Sequence, residues 1–361
     1  MSFLSSLFFG FLFTYLTFSN SLATGVSTWL EPQPEPDVAS EKSDQDSFFT
    51  LLPSRLSAIP DILLQSAAYQ QAAVGGAVGL TGPTATDPID SLVNIFCTFR
   101  TPQSVRTTTG TGFFIDPDGV IMTNAHVAQF LLLAAAEPAG EANCAVRTGN
   151  PATPAYTASL LYIPPAWVQD NAAVMNDEVP MGTGERDYAL LLVTRTLNGE
   201  PLPAMFPALS HSSALLSTRM RNNAVVAAGY PAGALLRNGS NTDLIPQKAD
   251  TSVSELYTFG SNRADVFAIR GSVVGAEGAS GGPVLNEEGD VIGMIVTRGD
   301  DAVDGAGSLR AITLSHVDRT ILEETGFTLE EHLDGDLTLR SQVFAETLTP
   351  FLLAILQSGQ Q

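Results

Sequence analysis

Three polar side chains of this chain, His126, Asp187 and Ser280, have the chemical types needed for nucleophilic catalysis. A serine hydroxyl becomes an effective nucleophile when a neutral imidazole takes its proton. A carboxylate on the other ring nitrogen fixes the imidazole tautomer and stabilises the imidazolium that forms. If the fold brings these three side chains together, they predict attack on a carbonyl carbon through an acyl intermediate.

The serine lies in the sequence GASGGPV, between two predicted strands. Glycines on both sides predict a tight turn that exposes the Ser280 hydroxyl and directs backbone N–H groups toward one point. We expect the N–H groups of Gly278 and Ser280 to form an oxyanion hole. Gly281 and Gly282 would allow close approach of a substrate. A glycine-rich turn with a serine is common by itself, so the prediction needs the other two side chains.

Both other side chains stand next to predicted strands. His126 follows GVIMTNA and begins a short helical segment, whereas Asp187 directly precedes the apolar run YALLLV. Taken alone, such a histidine is more often structural, and such an aspartate is more often a turn residue. Their order along the chain and their places at strand ends favour catalysis.

The surrounding residues predict an all-β fold. From about residue 88 to 317, short apolar runs alternate with clusters of Gly, Pro, Asn and Asp. Two of these clusters, at 116–119 and 286–289, join apolar runs closely enough to predict β-hairpins. Many short strands with few helices indicate a barrel or a sandwich.

The motifs TNAHV, DYALL and GASGGPV, in that order, resemble those of the trypsin-like serine peptidases of the chymotrypsin clan. The resemblance is greatest to the bacterial HtrA/Deg-type members, and GTGFFIDPDGVIMTNAHV, GYP at 229–231 and DVIGMIV support it. It covers about residues 89–320 and implies two six-stranded antiparallel β-barrels. It also implies that Ser280 is the nucleophile, that His126 is the general base and that Asp187 orients His126.

Three features depart from the family pattern. Ala279 precedes the serine where family members often carry Asp or Asn, which argues against activation by a new N-terminus. About 35 residues follow Gly326, which predicts that no PDZ module is present. The interval from His126 to Asp187 is also long for the family, so we expect an inserted loop at 164–184.

The resemblance places the substrate pocket beside the serine, lined by the segment before Ser280 with Val274 and by the strand residues Val296, Thr297 and Arg298. Valine and the lack of an acidic residue predict a small or apolar residue on the amino side of the scissile bond. Arg298 would instead favour an acidic residue there, or it is a solvated arginine at the end of a strand.

The ends of the chain differ in composition from its centre. Residues 3–18 are almost wholly apolar and lead to a small-residue site at 21–23, which is typical of a secretory signal peptide, but no Lys or Arg precedes them. A membrane anchor is the competing interpretation, with residues 3–18 as the tether. We therefore predict four regions. They are a signal peptide or anchor at 1–23, a Pro/acid-rich linker at 24–88, a protease domain at 89–325, and a helical tail at 326–361. Within the linker, a helix is predicted near 61–74.

Composition bears on location, cofactors and partners. An exported chain meets an oxidising compartment, so we predict a disulfide between Cys97 and Cys144. The formal net charge of −21 disfavours nucleic-acid binding and leaves protein or peptide substrates as the expected partners. The acidic segment 299–305 is interpreted as a surface loop rather than a calcium site, and we expect no zinc site and no cofactor. The alternative function is a catalytically silent relative that serves as a binding or scaffold protein.

Overall fold

The computed structural model describes residues 62–74, 79–80, 82–100, 105–134, 142–172, 184–233, 243–299, 304–305 and 307–358. All of them belong to one of two units of the chain, Pro53–Gln361, and the other unit, Met1–Leu52, lies outside the described residues. The predictions for the leader at 1–23 and for most of the linker therefore concern residues that are not described.

The strands form two closed antiparallel barrels of six strands each, as the family resemblance implied. In the first barrel the strand order is β1-β2-β3-β6-β5-β4, and in the second it is β10-β11-β12-β9-β8-β7. The first barrel contains β1 Leu92–Arg100, β2 Val105–Asp116, β3 Val120–Thr123, β4 Ala142–Thr148, β5 Thr153–Tyr162 and β6 Ala189–Thr196. The second contains β7 Ala224–Gly229, β8 Gln247–Tyr257, β9 Val266–Ile269, β10 Pro283–Leu285, β11 Val291–Arg298 and β12 Leu309–Thr313.

Strand composition accounts for the apolar core of the barrels. The central strands β3, β9 and β10 are buried along their whole length, and apolar residues dominate them. Both predicted hairpins are present, β2–β3 and β10–β11. Each turn contains a glycine at positive φ, Gly119 at 92° and Gly289 at 88°, a conformation that other residues adopt only at a cost.

The β2–β3 turn contains a buried acid, Asp116, whose side chain is 7 % exposed. Its Oδ1 accepts a hydrogen bond from the backbone N–H of Asp118 at 2.8 Å. Burial, together with the negative charges of Asp118, Glu330 and Asp334, raises the pKa of Asp116 from 3.8 to about 7. At pH values between the ordinary pKa of 3.8 and the folded pKa of about 7, Asp116 keeps its proton in the folded chain but has lost it in the unfolded chain. The free energy of unfolding therefore falls as the pH rises through this range.

Replacing this acid with its neutral isostere should stabilise the protein above neutral pH. Each unit of pKa shift corresponds to about 1.4 kcal/mol, and partial solvent screening reduces the full value, so we expect Asp116→Asn to gain about 2 kcal/mol at pH 8. At pH 3.5 the folded wild type has a neutral Asp116, and the variant has a neutral asparagine at the same position. We therefore expect the wild type and Asp116→Asn to unfold at the same urea concentration at this pH. An equal gain at both pH values would show that ionisation of Asp116 is not the cause.

Helices flank the barrels. They are α1 Ile62–Gln65, α2 Ala67–Val74, α3 Pro88–Ser91, α4 Ala125–Ala134, α5 Pro165–Asn171, α6 Leu314–Thr325, α7 Leu329–His332, α8 Leu337–Thr347 and α9 Thr349–Ser358. The helix predicted to end near residue 326 is confirmed, since Gly326 caps α6 in the left-handed conformation at φ 82°. The predicted helical tail is confirmed as α7, α8 and α9.

The helix predicted at 61–74 is broken into two pieces, α1 and α2. Ser66 interrupts it because its Oγ accepts the N–H of Tyr69 at 3.2 Å, as a capping serine does. The second piece is fastened to the tail by Arg340, which is fully buried and donates to the carbonyls of Ala73 and Glu331 at 3.0 and 2.9 Å. Tyr69 Oη also lies 3.0 Å from Nε2 of His332 in the tail.

Cys97 and Cys144 form the predicted disulfide. They are directly paired in register on the neighbouring strands β1 and β4 of the first barrel. Within the described ranges no single helix is long and apolar enough to span a membrane, although α8 and α9, bent by 47°, together meet that length and composition. The predicted loop at 164–184 contains helix α5, and residues 173–183 lie outside the description.

Candidate active site

His126 and Asp187 lie at one end of the first barrel because their strands are paired there. Thr123, the last residue of β3, is opposite Ala189, the first residue of β6. His126 is the second residue of the helix that follows β3, and Asp187 stands two residues before β6. The strand register therefore sets the distance between the two side chains.

Two hydrogen bonds join Asp187 to His126. Asp187 Oδ2 lies 2.7 Å from His126 Nδ1, and Asp187 Oδ1 accepts the backbone N–H of His126 at 2.9 Å. The Asp187 carbonyl accepts a third hydrogen bond, from Asn124 Nδ2, at 2.8 Å. Asp187 is fully buried and His126 is 6 % exposed. A carboxylate accepts hydrogen bonds, so Nδ1 of the neutral ring carries the proton, which leaves the Nε2 lone pair free to accept a proton.

Ser280 lies in the loop between β9 and β10 of the second barrel and is half-buried. Its carbonyl accepts the N–H of Thr111, in β2 of the first barrel, at 2.8 Å. Among the described residues, no hydrogen bond joins Ser280 Oγ to His126 Nε2. Such bonds are often long in enzymes without substrate and shorten in the Michaelis complex.

Thr111 fastens the serine loop to the first barrel, and it lies outside the motifs TNAHV, DYALL and GASGGPV that contain the three candidate catalytic residues. Thr111 Oγ1 donates to the carbonyl of Gly278 at 2.6 Å and accepts the N–H of Tyr230 at 2.9 Å. The Thr111 carbonyl accepts Thr123 Oγ1 at 2.7 Å, three residues before His126. One threonine therefore links the segments that carry the histidine and the serine.

The glycines beside Thr111 in the sequence are a signal of close packing at this position. It stands between Gly110 and Gly112 in the middle of a strand, where glycine is unfavourable unless something approaches closely. A Cβ at Gly110 would lie 2.5 Å from Val127 Cγ2, and one at Gly112 would lie 2.8 Å from Ile121 Cγ2. The two glycines let β2 approach Val127 and Ile121 closely, and Thr111, between them, contacts the serine loop.

The two N–H groups predicted to form the oxyanion hole have no acceptor within the described residues. Gly278 has a φ of 92°, and a Cβ there would lie 2.6 Å from the Ala232 Cβ. The neighbouring N–H groups are occupied, since Ala279 donates to the Ala276 carbonyl at 3.2 Å. The assignment of the N–H groups of Gly278 and Ser280 to an oxyanion hole stays a prediction.

The predicted pocket residues differ in exposure. Val274 and Val296 are buried, at 0 % and 2 % exposure, and Val274 packs within the apolar core of the second barrel. Thr297 is half-buried and Arg298 is exposed, both at the end of β11. Val273, beside Val274, is 64 % exposed. The assignment of these residues to a substrate pocket stays a prediction.

Several acidic and histidine side chains outside this site pair with other groups of the protein. Asp304, at the end of the acidic segment, accepts two hydrogen bonds from Arg310 at 2.8 and 3.0 Å, and residues 300–303 lie outside the description. His211 lies 3.2 Å from Glu330 Oε2. His316 Nδ1 lies 3.2 Å from Asp265 Oδ1, while His332 contacts Tyr69 as described above. In the part of the chain that is described, no group of three or more His, Cys, Asp or Glu residues could hold a metal ion.

The chain is similar to known proteins. Residues 110–294, just over half of the chain, match a family model described as a trypsin-like peptidase domain. No curated protein sequence matches the chain. Among solved structures, the active form of the Rv3671c protease from M. tuberculosis is 24 % identical, with 67 % of this chain and 83 % of that chain covered and a TM-score of 0.39. The inactive form of the Rv3671c protease is 23 % identical, with 66 % and 89 % covered and a TM-score of 0.38.

Proposed function

Because the chain belongs to the trypsin-like peptidase family and is a serine peptidase, we propose that it is an endopeptidase whose catalytic residues are Ser280, His126 and Asp187. The observation that carries the proposal is the pair of hydrogen bonds that the Asp187 carboxylate accepts from His126, from Nδ1 at 2.7 Å and from the backbone N–H at 2.9 Å. These bonds orient the imidazole so that Nδ1 carries the proton and the Nε2 lone pair is free to accept one. Thr111 holds the serine loop beside the segment that carries this histidine.

In the proposed mechanism, His126 Nε2 removes the proton of Ser280 Oγ as that oxygen attacks the peptide carbonyl. The resulting imidazolium is stabilised by the buried Asp187 carboxylate and then donates its proton to the leaving amine. The C–N bond breaks, the amine half leaves, and the acyl half of the substrate remains as an ester on Ser280 Oγ. Water, deprotonated by His126, attacks the ester and releases the acid, which regenerates the serine hydroxyl.

We assign stabilisation of the tetrahedral intermediate to the N–H groups of Gly278 and Ser280. Both are free of acceptors within the described residues, and the Gly278 carbonyl is held by Thr111 Oγ1. A preformed pair of donors stabilises the oxyanion without the reorganisation that water would need. The substrate pocket is assigned to the region of Val274, Val296, Thr297 and Arg298, with a preference for a small or apolar residue before the scissile bond.

The proposed site of action is the cell envelope or the outside of the cell. The disulfide between Cys97 and Cys144 supports this proposal, because structural disulfides form and persist in oxidising compartments. The apolar segment at 3–18 supports it through either a cleaved signal peptide or a membrane tether.

A peptide-library cleavage assay tests the proposed function. We expect the purified protein to cut internal peptide bonds and Ser280→Ala to lose at least about 10⁴-fold in kcat/KM, because the nucleophile is removed. The matched control is Ser217→Ala, at an exposed serine before β7 and outside the proposed site, which should cleave at the wild-type rate. Equal, residual cleavage by the wild type and Ser280→Ala would reject the endopeptidase and favour the catalytically silent alternative.

A further inference from the structure

The two residues that flank Asp187 in the sequence are both fastened to helix α6. Arg186 Nε lies 2.9 Å from Glu324 Oε1, and Tyr188 Oη lies 2.9 Å from Thr320 Oγ1. Thr320 Oγ1 donates its own proton to the His316 carbonyl at 2.9 Å, so Tyr188 is the donor in the second contact. The two neighbours of Asp187 in the sequence therefore each contact helix α6, at Thr320 and Glu324, which are four residues apart on that helix.

The backbone of this turn needs such support. Arg186 has a φ of 55°, in the left-handed region, which costs a non-glycine residue about 1–2 kcal/mol. The N–H of Tyr188 donates to the Arg186 carbonyl at 2.8 Å, and the N–H of Asp187 reaches the Gly184 carbonyl only at 3.4 Å. A strained turn with few backbone hydrogen bonds keeps its shape only when neighbouring groups hold it.

Glu324 is built into the protein rather than solvated. Its side chain is 17 % exposed, and its Oε2 accepts the hydroxyl of Tyr162 at 2.7 Å. Tyr162 and Tyr188 are both fully buried, and their rings stack at 6.1 Å between centroids. Burial raises the pKa of Glu324 to about 7, and the charge of Arg186 opposes that rise.

Helix α6 comes from the second barrel, since its capping residue Thr313 ends β12. Its second half then reaches the turn that contains Asp187 in the first barrel. We propose that Glu324 and Thr320 are positioning residues that orient Asp187, through Arg186 and Tyr188, so that its carboxylate stays in line with His126. This inference rests on the proposed role of Asp187 in catalysis.

The neighbouring carboxylate, Glu323, provides a matched control. It lies 3.6 Å from Arg186 Nη2, and its side chain is 53 % exposed. We expect Glu324→Gln to lower kcat about tenfold while KM changes less than twofold, because misplacing a catalytic group acts mainly on the transition state. Glu323→Gln should keep the wild-type kcat. Thr320→Val, which keeps the side-chain shape, should lower kcat about threefold. This variant tests the inference if Glu324→Gln does not fold.

A proton NMR spectrum gives a readout that a merely structural role would not change. The downfield resonance of the His126 Nδ1–H, shared with Asp187, should shift or broaden in Glu324→Gln and stay unchanged in Glu323→Gln. The inference fails if folded Glu324→Gln and Thr320→Val keep both the wild-type kcat and this resonance while Asp187→Asn is inactive. The proposed function itself fails if the wild type does not cleave peptides, so the two failures are distinguishable.

Discussion

Asp187→Asn is expected to lower kcat by about 10⁴-fold while leaving the protein folded. The reason lies in the two hydrogen bonds of this carboxylate. One oxygen accepts the backbone N–H of His126 at 2.9 Å, and that donor is buried, so the amide oxygen of an asparagine must take this place. The amide NH₂ then faces Nδ1 of the ring.

An NH₂ group that faces Nδ1 needs an acceptor there, and the ring supplies one only when Nε2 carries the proton. That tautomer cannot accept the proton of Ser280, so the general base is lost although the geometry is kept. Steady-state kinetics and a thermal melt together test this expectation. Asp116→Asn is the control, because it replaces another buried acid of the same barrel outside the site. Activity of Asp187→Asn within tenfold of the wild type would contradict the assigned role.

Gly281→Ala should cause the second large loss. Gly281 has a φ of 89°, and a Cβ there would lie 1.9 Å from the Thr111 carbonyl oxygen. That oxygen cannot withdraw easily, because it accepts Thr123 Oγ1 and because the Thr111 N–H holds the Ser280 carbonyl. We expect the serine loop to move away from the first barrel, with a loss of at least about 100-fold in kcat.

The control for this substitution is Gly289→Ala in the β10–β11 turn. Gly289 has nearly the same φ, 88°, but a Cβ there meets no atom within 4 Å. Gly289→Ala should lower the free energy of unfolding by about 1–2 kcal/mol, the cost of an alanine at positive φ. It should lower the Tm by a few degrees and leave activity unchanged. Equal effects of the two substitutions on activity would show that the contact between Gly281 and Thr111 does not position the serine.

Strand-length apolar runs and glycine turns are local signals, so the sequence pattern predicts a barrel or a sandwich, and the family resemblance implies the two barrels that the structure has. The hairpins at 116–119 and 286–289 and the helix that ends at Gly326 follow from such signals, and the structure confirms them. The helix near 61–74 was predicted unbroken because the capping bond of Ser66 to Tyr69 is not visible in composition. The catalytic and pocket assignments remain predictions.

The tertiary supports of the site could not be predicted in the same way. Thr111 has the appearance of an ordinary strand residue, and its role depends on the carbonyls of Gly278 and Ser280, which lie more than 160 positions along the chain. Glu324 belongs to an acidic helix end that resembles a solvated surface. Only the packing of α6 against Tyr162 and Arg186 shows that it is buried.

Covalent labelling with a fluorophosphonate probe tests the central claim most directly. The probe reacts with a serine that a neighbouring base activates, and it needs neither a known substrate nor a known specificity. Peptide mapping by mass spectrometry should find one adduct, on Ser280, in the wild type and none in Ser280→Ala. Labelling of the folded wild type at another serine, or no labelling under conditions that modify a known trypsin-like peptidase, would contradict the account.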